Sequence, residues 1–393
     1  MHAATRWEQL FIVLLAIMTS VPAAQPAMAL QLEKVSYRNL PGWADDDHEQ
    51  ALSVFVQACG ELTSSGVGFA RKAELSGQRN DWSAICERTK RTSASPEAAR
   101  RFFEDNLLPL KIANIAGQFT GYFEPELEGS RTQSKVFDVP VLARPDDLVK
   151  LSKSAEARLG VAYGRVVNGT AQPYFTRRQI EQGKLSAQNL ELLYLRSWQD
   201  LFFMQIQGSG RVRLHEGGHV RLAYAAKTGL PYTSIGKVLI ERSELTREEM
   251  SMQALRAWLQ QHPDQARQVM WENKSYVFFR ELKGHGTESG PIGAQKLPLT
   301  PLRSLAVDRK YWALGVPLWV STTVFANGHV RPFNRLMVAQ DTGSAIKGAA
   351  RGDVFMGTGH RAGQDAGAMD QAGSLTALLP HELAARLLRK FSK

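Results

Sequence analysis

An α+β fold dominated by short strands is what this sequence predicts, on three observations. Between Asp45 and about Leu110 apolar residues recur at helical spacing. From Gly117 the chain becomes glycine-rich, with apolar runs too short for helices, and only two later stretches regain a helical pattern. Taken in order, HEQALSVFVQAC and SPEAARRFFEDNLLPL read as helices, the second with Ser95 as N-cap, Pro96 in the first turn and Glu97 matched to the helix dipole. GQFTGYFEPELEGS, FDVPVLARP and MQIQGSGRVRLHEGGHVRLAY follow as strands and turns. A helix is expected from about Thr246, where Thr246 and Glu249 form a capping box ahead of Leu255, Trp258 and Leu259, and Pro263 should end it. YVFFREL, VPLWVSTTVF and RLMVAQD return to strands, and Pro380 opens a last amphipathic helix carrying Leu383, Leu387 and Leu388. Short strands of this kind close into barrels.

The chain has 393 residues, 44% of them apolar, which allows two or three domains with real cores. With 48 Lys+Arg against 38 Asp+Glu it carries a net charge of +10, which suits nucleic acid, an anionic membrane or an acidic polymer. Residues 1–29 read as a cleavable secretory leader: Arg6 precedes an apolar run from Leu10 to Val21, which ends in Ala27-Met28-Ala29. That run is shorter than the roughly 20 residues a spanning helix needs. Export argues against nucleic acid as a partner, and no cysteine near the cleavage site offers a lipid attachment point. The two cysteines, Cys59 and Cys86, exclude a disulfide-dense miniprotein and a four-cysteine zinc scaffold. In an oxidising compartment they would pair, closing a loop of about 28 residues worth roughly 3 kcal/mol, or else remain as two buried thiols.

Two motifs point elsewhere and do not hold. His215-Glu216-Gly217-Gly218-His219 matches HExxH, but adjacent glycines between near-mirror halves, VRLH and HVRL, describe a β-hairpin rather than a zinc helix. Asp341-Thr342-Gly343-Ser344 resembles an aspartic-protease loop, yet such enzymes share a proton between two carboxylates and this chain has one DTG. GxG fragments at Gly208-Ser209-Gly210, Gly284-His285-Gly286 and Gly357-Thr358-Gly359 lack the context of a phosphate or dinucleotide loop.

The stretch from Ala339 to Gly359 carries the chemistry. It sets Asp341 just after an apolar run and Asp353 just before Val354-Phe355-Met356, among six glycines. Each carboxyl is expected to be partly desolvated, which raises its pKa toward that of a working acid.

This segment, preceded in order by TGYFEPELEGS, IQGSGRVRL, NKSYVFFREL and GPIGAQKLPLTPLRSLAVDR, resembles the three-aspartate (3D) domain and the membrane-bound lytic murein transglycosylase A family, over roughly Pro109 to Pro380. The resemblance implies a double-psi β-barrel domain with a second β-rich domain inserted and a groove between them. Residues 30–123 and 266–393 would form the barrel and residues 124–265 the insert. It further implies cleavage of the β-1,4 bond between N-acetylmuramic acid and N-acetylglucosamine of peptidoglycan, leaving a 1,6-anhydromuramic end. Asp353 would act as acid and then base, with Asp341 as supporting carboxylate. The third family aspartate is matched only roughly, by Asp365. Thr120, Gly121 and Tyr122, then Gln205, Gln207, Gly208 and Ser209 along an IQGSG strand-turn, are expected to hold sugar, and Lys347 a lactyl or peptide carboxylate. No cofactor or metal is expected. The expected partner is the glycan strand, with cell-wall synthesis proteins as candidates, in an enzyme of the periplasm or cell envelope whose oligomeric state stays open, a monomer being favoured. A non-catalytic wall-binding scaffold is the alternative.

Overall fold

In the computed structural model, residues 30–63, 69, 72–93, 95–283, 289–326 and 329–391 are described. The leader and the Gly284–Gly286 fragment lie outside them. The chain is mixed α/β and mainly β. Its strands are β1 Leu32–Lys34, β2 Leu107–Ile112, β3 Gly117–Glu124, β4 Glu126–Ser130, β5 Val139–Leu142, β6 Val149–Lys150, β7 Tyr163–Val167, β8 Thr170–Pro173, β9 Glu191–Leu195, β10 Ser209–Leu214, β11 His219–Lys227, β12 Val277–Glu281, β13 Ser304–Val307, β14 Pro317–Ala326, β15 His329–Asp341, β16 Arg351–Thr358 and β17 Asp370–Pro380. Its helices are α1 His48–Thr63, α2 Arg79–Thr89, α3 Pro96–Asn106, α4 Lys153–Leu159, the turn α5 Arg177–Gln179, α6 Trp198–Gln207, α7 Ile235–Glu241, α8 Met252–Gln261, α9 Pro263–Glu272, α10 His360–Gly367 and α11 His381–Phe391.

Six strands close on themselves in the order β17-β14-β15-β13-β16-β3 and back to β17, with β2 and β1 continuing outward from β17. The ring is closed by β3, which pairs parallel with β16 and antiparallel with β17. Closure removes the edges that an open sheet of this size would expose. A second, six-stranded sheet, β12-β11-β10-β4-β9-β5, and the small sheet β6-β7-β8 come from the sequence between β3 and β13. Because β12 pairs with β11, the second sheet runs to Glu281, beyond the boundary expected at residue 265.

Helices α1 to α3 pack on the barrel through Phe55, Trp82, Phe102 and Phe103, all buried. Ser95 caps α3 by accepting from the Ala98 N–H, with Pro96 at its start. Cys59 of α1 and Cys86 of α2 are joined as a disulfide, with Cα atoms 5.4 Å apart. The 246–263 region departs from expectation. Thr246 and Glu249 do exchange their capping hydrogen bonds, but the box closes only a turn, and α8 starts after Ser251, whose hydroxyl accepts from Ala254 N–H. Pro263 ends α8 and also begins α9, since proline fits the first turn of a helix as readily as it terminates one.

A buried ion pair ties the N-terminal segment to the barrel. Arg303 donates to both Asp46 oxygens, at 2.8 and 2.9 Å, and both side chains are fully buried. Arg303 also donates to Gln50 Oε1 and the Leu336 carbonyl, while Leu336 N–H donates to Asp46. Burial alone would raise the Asp46 pKa, but the Arg303 bonds and charge, the Leu336 amide and Arg335 together bring it below its ordinary value. Replacing Arg303 by Met strands a buried carboxylate and is expected to lower stability by about 3–5 kcal/mol in urea unfolding at neutral pH. The pair's contribution is present above the unfolded value, about pH 3.9, and lost as the pH falls through the lowered folded value, so the Arg303→Met deficit should shrink in acid.

Candidate active site

Strand pairing places three aspartates on one row across the barrel. Asp370 of β17 pairs with Thr120 of β3, Thr120 with Asp353 of β16, Asp353 with Ala306 of β13, and Ala306 with Asp341 of β15. The last step depends on a bulge: Leu305 opposes Ala339 but Ala306 opposes Asp341, so Gln340 is the extra residue. A bulge re-aims the side chains that follow it. Gln340 is fully buried, and Asp341 falls on the row with Asp353.

The two central carboxyls have different surroundings. Asp341 accepts three hydrogen bonds, from the Tyr122 hydroxyl at 2.9 Å, Ala294 N–H at 3.0 Å and Thr342 N–H at 2.9 Å. Burial pushes its pKa up and these donors pull it back. Tyr122 is itself held protonated, first by burial and then by the charge of Asp341, so it stays a donor. Asp353 receives one side-chain hydrogen bond, from Thr120 Oγ1 to Oδ1 at 2.5 Å. Burial lifts its pKa to about 6, with the Asp341 charge adding to the rise, while Thr120 and the Arg351 guanidinium oppose it. Of two coupled carboxyls the better-solvated one ionises first. The three donors around Asp341 favour its anion, whereas Asp353, with one side-chain donor and its pKa lifted to about 6, is the carboxyl that holds a proton below that pH.

The remaining expected site residues divide. Thr120 and Tyr122 bond directly to the two carboxyls, and Gly121 lies between them on β3. Lys347 is exposed in the loop after Asp341, and that loop is anchored by Asp308, whose carboxylate accepts from Lys310 N–H and Gly348 N–H. The IQGSG segment is not a strand-turn: Gln205 and Gln207 end helix α6, Gly208 is its left-handed cap at φ +83°, and only Ser209 begins β10, buried. The Gln205 amide is occupied, accepting from Arg177 and donating to the Val277 carbonyl, and Gln207 Oε1 accepts from Phe123 N–H. These glutamines brace the frame behind β3. Asp365 sits on α10, paired with Arg361 at 3.3 Å and outside the row. The buried third aspartate of this region is Asp308, which the sequence reading passed over. Its signal was available: like Asp341, it directly follows a buried apolar run, Leu305-Ala306-Val307.

The HExxH segment is a hairpin. Gly217 and Gly218 have φ of +100° and +79°, His219 pairs with Arg213 across it, and Glu216 accepts from Ser130 and Arg131 N–H. Two surface hollows, of about 940 Å³ beside Trp43 and Glu104 and about 1140 Å³ beside Lys72 and Leu383, lie away from the carboxylate row.

Residues 118–280 match the MltA specific insert domain, and residues 303–379, which hold Asp308, Asp341 and Asp353, match the 3D domain. A solved membrane-bound lytic murein transglycosylase from Agrobacterium tumefaciens is 36% identical, superposes with a TM-score of 0.82 and covers 91% of this chain and 99% of its own. The chain belongs to the membrane-bound lytic murein transglycosylase A family. A relative from Vibrio cholerae, named membrane-bound lytic murein transglycosylase A, is 34% identical over 255 residues, which span 63% of this chain and 61% of that protein. Escherichia coli MltA with bound chitohexaose, at 28% identity and TM-score 0.64, covers 90% of this chain and 94% of its own.

Helix α10 lies tightly across β3. A Cβ on Gly121 would lie 2.7 Å from the Ala366 Cα and 3.1 Å from its carbonyl oxygen, both backbone atoms that cannot swing aside. Gly121→Ala is therefore expected to cost about 1–3 kcal/mol in urea unfolding. Gly60→Ala, in α1 with nothing within 4 Å, serves as the control and should be neutral or stabilising by up to about 1 kcal/mol.

Proposed function

We propose that this protein is a lytic transglycosylase of the cell envelope that cuts peptidoglycan between N-acetylmuramic acid and N-acetylglucosamine and leaves a 1,6-anhydromuramic end. The observation that carries this reading is the asymmetry of the carboxyl pair: one group accepts from three donors that favour its anion, and the other is buried with its pKa lifted to about 6. A hydrolase of glycosidic bonds needs two working carboxyls, one as acid and one as base or nucleophile. Of the two central carboxyls Asp353 has the fewer donors to its anion and is assigned the proton exchange, and a single residue suffices when the attacking group belongs to the sugar.

In the proposed reaction neutral Asp353 gives its proton to the glycosidic oxygen as the C1–O bond breaks, and N-acetylglucosamine leaves with a new hydroxyl. The anomeric carbon becomes positively charged, and the fixed charge of Asp341 stabilises it across the row. Ionised Asp353 then takes the proton from the 6-hydroxyl of muramic acid while that oxygen bonds to C1. No water is consumed, and Asp353 ends the cycle protonated.

The closed ring, with parallel pairs β13–β15 and β16–β3, supports a double-psi barrel. We assign its two parts to residues 30–123 and 282–393, flanking an inserted β-rich domain. The buried pair of Arg221 on β11 with Glu124 on β3, 2.9 Å apart, holds that insert against the barrel. Exposed Lys347 is the proposed contact for a lactyl or peptide carboxylate, and the net charge of +10 favours encounter with an acidic polymer.

The reading is tested by digesting purified murein sacculi with the wild type and Asp353→Asn. Muropeptides lighter by one water than hydrolysed ends should appear only with the wild type. Their absence, reducing ends in their place, or equal release by the variant would overturn it. The variant should melt no lower than the wild type at neutral pH, since an amide removes a buried ionisable group. Because the reaction begins with protonated Asp353, wild-type turnover is expected to decline as the pH rises through about 6, which a pH series of the same assay measures.

A further inference from the structure

The Thr120 hydroxyl has one hydrogen to place, and two neighbours determine where it goes. Arg351 Nη2 approaches Thr120 Oγ1 at 2.6 Å, and Asp353 Oδ1 approaches the same oxygen at 2.5 Å. A guanidinium can only donate, so Oγ1 accepts from Arg351 and turns its own hydrogen to Asp353 Oδ1. The guanidinium is fixed in this position by two further acceptors, the carbonyls of Gln118 and Gly352. An oxygen that already accepts a short hydrogen bond is the poorer place for a proton, which leaves the other oxygen of the carboxyl.

We propose that Arg351, acting through Thr120, is a positioning residue that confines the proton of neutral Asp353 to Oδ2 and so sets which face of the carboxyl delivers it. The inference rests on the reading of Asp353 as the acid. Its physical content is a relay of three side chains on two adjacent strands. Arg351 and Asp353 stand two residues apart on β16, so both project to one side of the sheet, and Thr120 stands opposite Asp353 on β3. Sequence proximity contributes only the first half, because Thr120 is 233 residues from Asp353.

The charged and titratable groups around Asp353 come from each neighbouring strand. β3 supplies Tyr122, spent on Asp341, together with Thr120; β15 supplies the Asp341 anion; β13 supplies only Ala306. β17 supplies Asp370, which accepts from Gln118 Nε2 at 3.0 Å and draws on the charge of Arg351. Among these, Thr120 and Arg351 favour ionised Asp353, while Asp341 and burial oppose it. Removing either member of the relay should therefore keep Asp353 protonated to higher pH while leaving its proton less well placed.

The test compares Thr120→Val, Arg351→Gln, the double variant and Thr120→Ser in the full chain, scoring anhydro-muropeptide release from sacculi across pH, with the wild type and Asp353→Asn alongside. Both single variants should lose about tenfold in kcat at little change in KM, a part of the roughly 10²–10⁴-fold worth of a positioned acid. Both should also move the basic limb of the pH profile upward by about one unit. The double variant should be no worse than either single one, as expected for one shared pathway, and Thr120→Ser should restore wild-type behaviour. A basic limb that stays in place, a loss confined to KM, or additive losses would overturn the relay. Should Arg351→Gln fail to fold, Thr120→Val against Thr120→Ser decides alone, since that pair differs in the hydroxyl. Wild-type chain without anhydro product, or an active Asp353→Asn, would remove the underlying reading and the relay with it. An intact reading with unmoved relay variants would remove the relay only.

Discussion

The double pairing of strand β3 is the constraint on which the rest of the site depends. It completes the six-stranded ring, hydrogen-bonded to β16 on one edge and β17 on the other. That closure brings Thr120 beside Asp353 and Tyr122 within reach of Asp341, across 233 and 219 residues of sequence. Much of the surrounding structure serves to keep β3 in place. Gln207 accepts from its Phe123 N–H, Gly121 lets α10 lie flat against it, and Glu124 at its end is gripped by Arg221 and Thr358. A shift of one residue in its register would turn Thr120 and Tyr122 to the opposite face, because side chains alternate along a strand.

Within that frame the electrostatics of the site come from unequal solvation of two similar groups. Asp341 and Asp353 are both buried and both raised. Three donors surround the first and one side-chain hydroxyl the second, so the anion is better supported at Asp341 and the proton is held up to about pH 6 at Asp353. The opposing pull of Arg351 and Thr120 keeps that proton removable. A carboxyl pushed far above neutrality would never ionise in the course of a reaction, and one left in the ordinary range would have no proton to give.

Local features were legible wherever they rested on one segment. The Ser95-Pro96 helix start, the glycine hairpin at His215–His219 and the final helix after Pro380 all follow from residues within a few positions of one another. The six-stranded closure, by contrast, is a set of pairings between distant strands, which no window of the sequence contains. The IQGSG segment shows how local patterns mislead. Its glycines mark a helix cap and a strand start, and α6 runs up to them with Leu201, Phe202, Phe203 and Met204 all buried, an apolar run that periodicity alone does not tell from a strand. Thr246 and Glu249 formed their box around a single turn, and the helix starts only after Ser251, which supplies its own cap.

The sequence by itself determined the composition of the site and the family: two aspartates flanked by apolar runs and glycines, in order behind motifs shared with lytic murein transglycosylases. Only the tertiary structure decided how differently the two aspartates are surrounded and so how each holds a proton. Protonation depends on how many donors and charges stand around a carboxyl, and those came from Tyr122, Ala294 and Thr120 on other strands and loops and from a bulge at Gln340. It also decided which bonds Asp308 and the glutamines of IQGSG make: Asp308 to Lys310 and Gly348, Gln205 to Arg177 and Val277, and Gln207 to Phe123. A residue type states what a side chain is able to bond, whereas the fold determines which of those bonds are already taken.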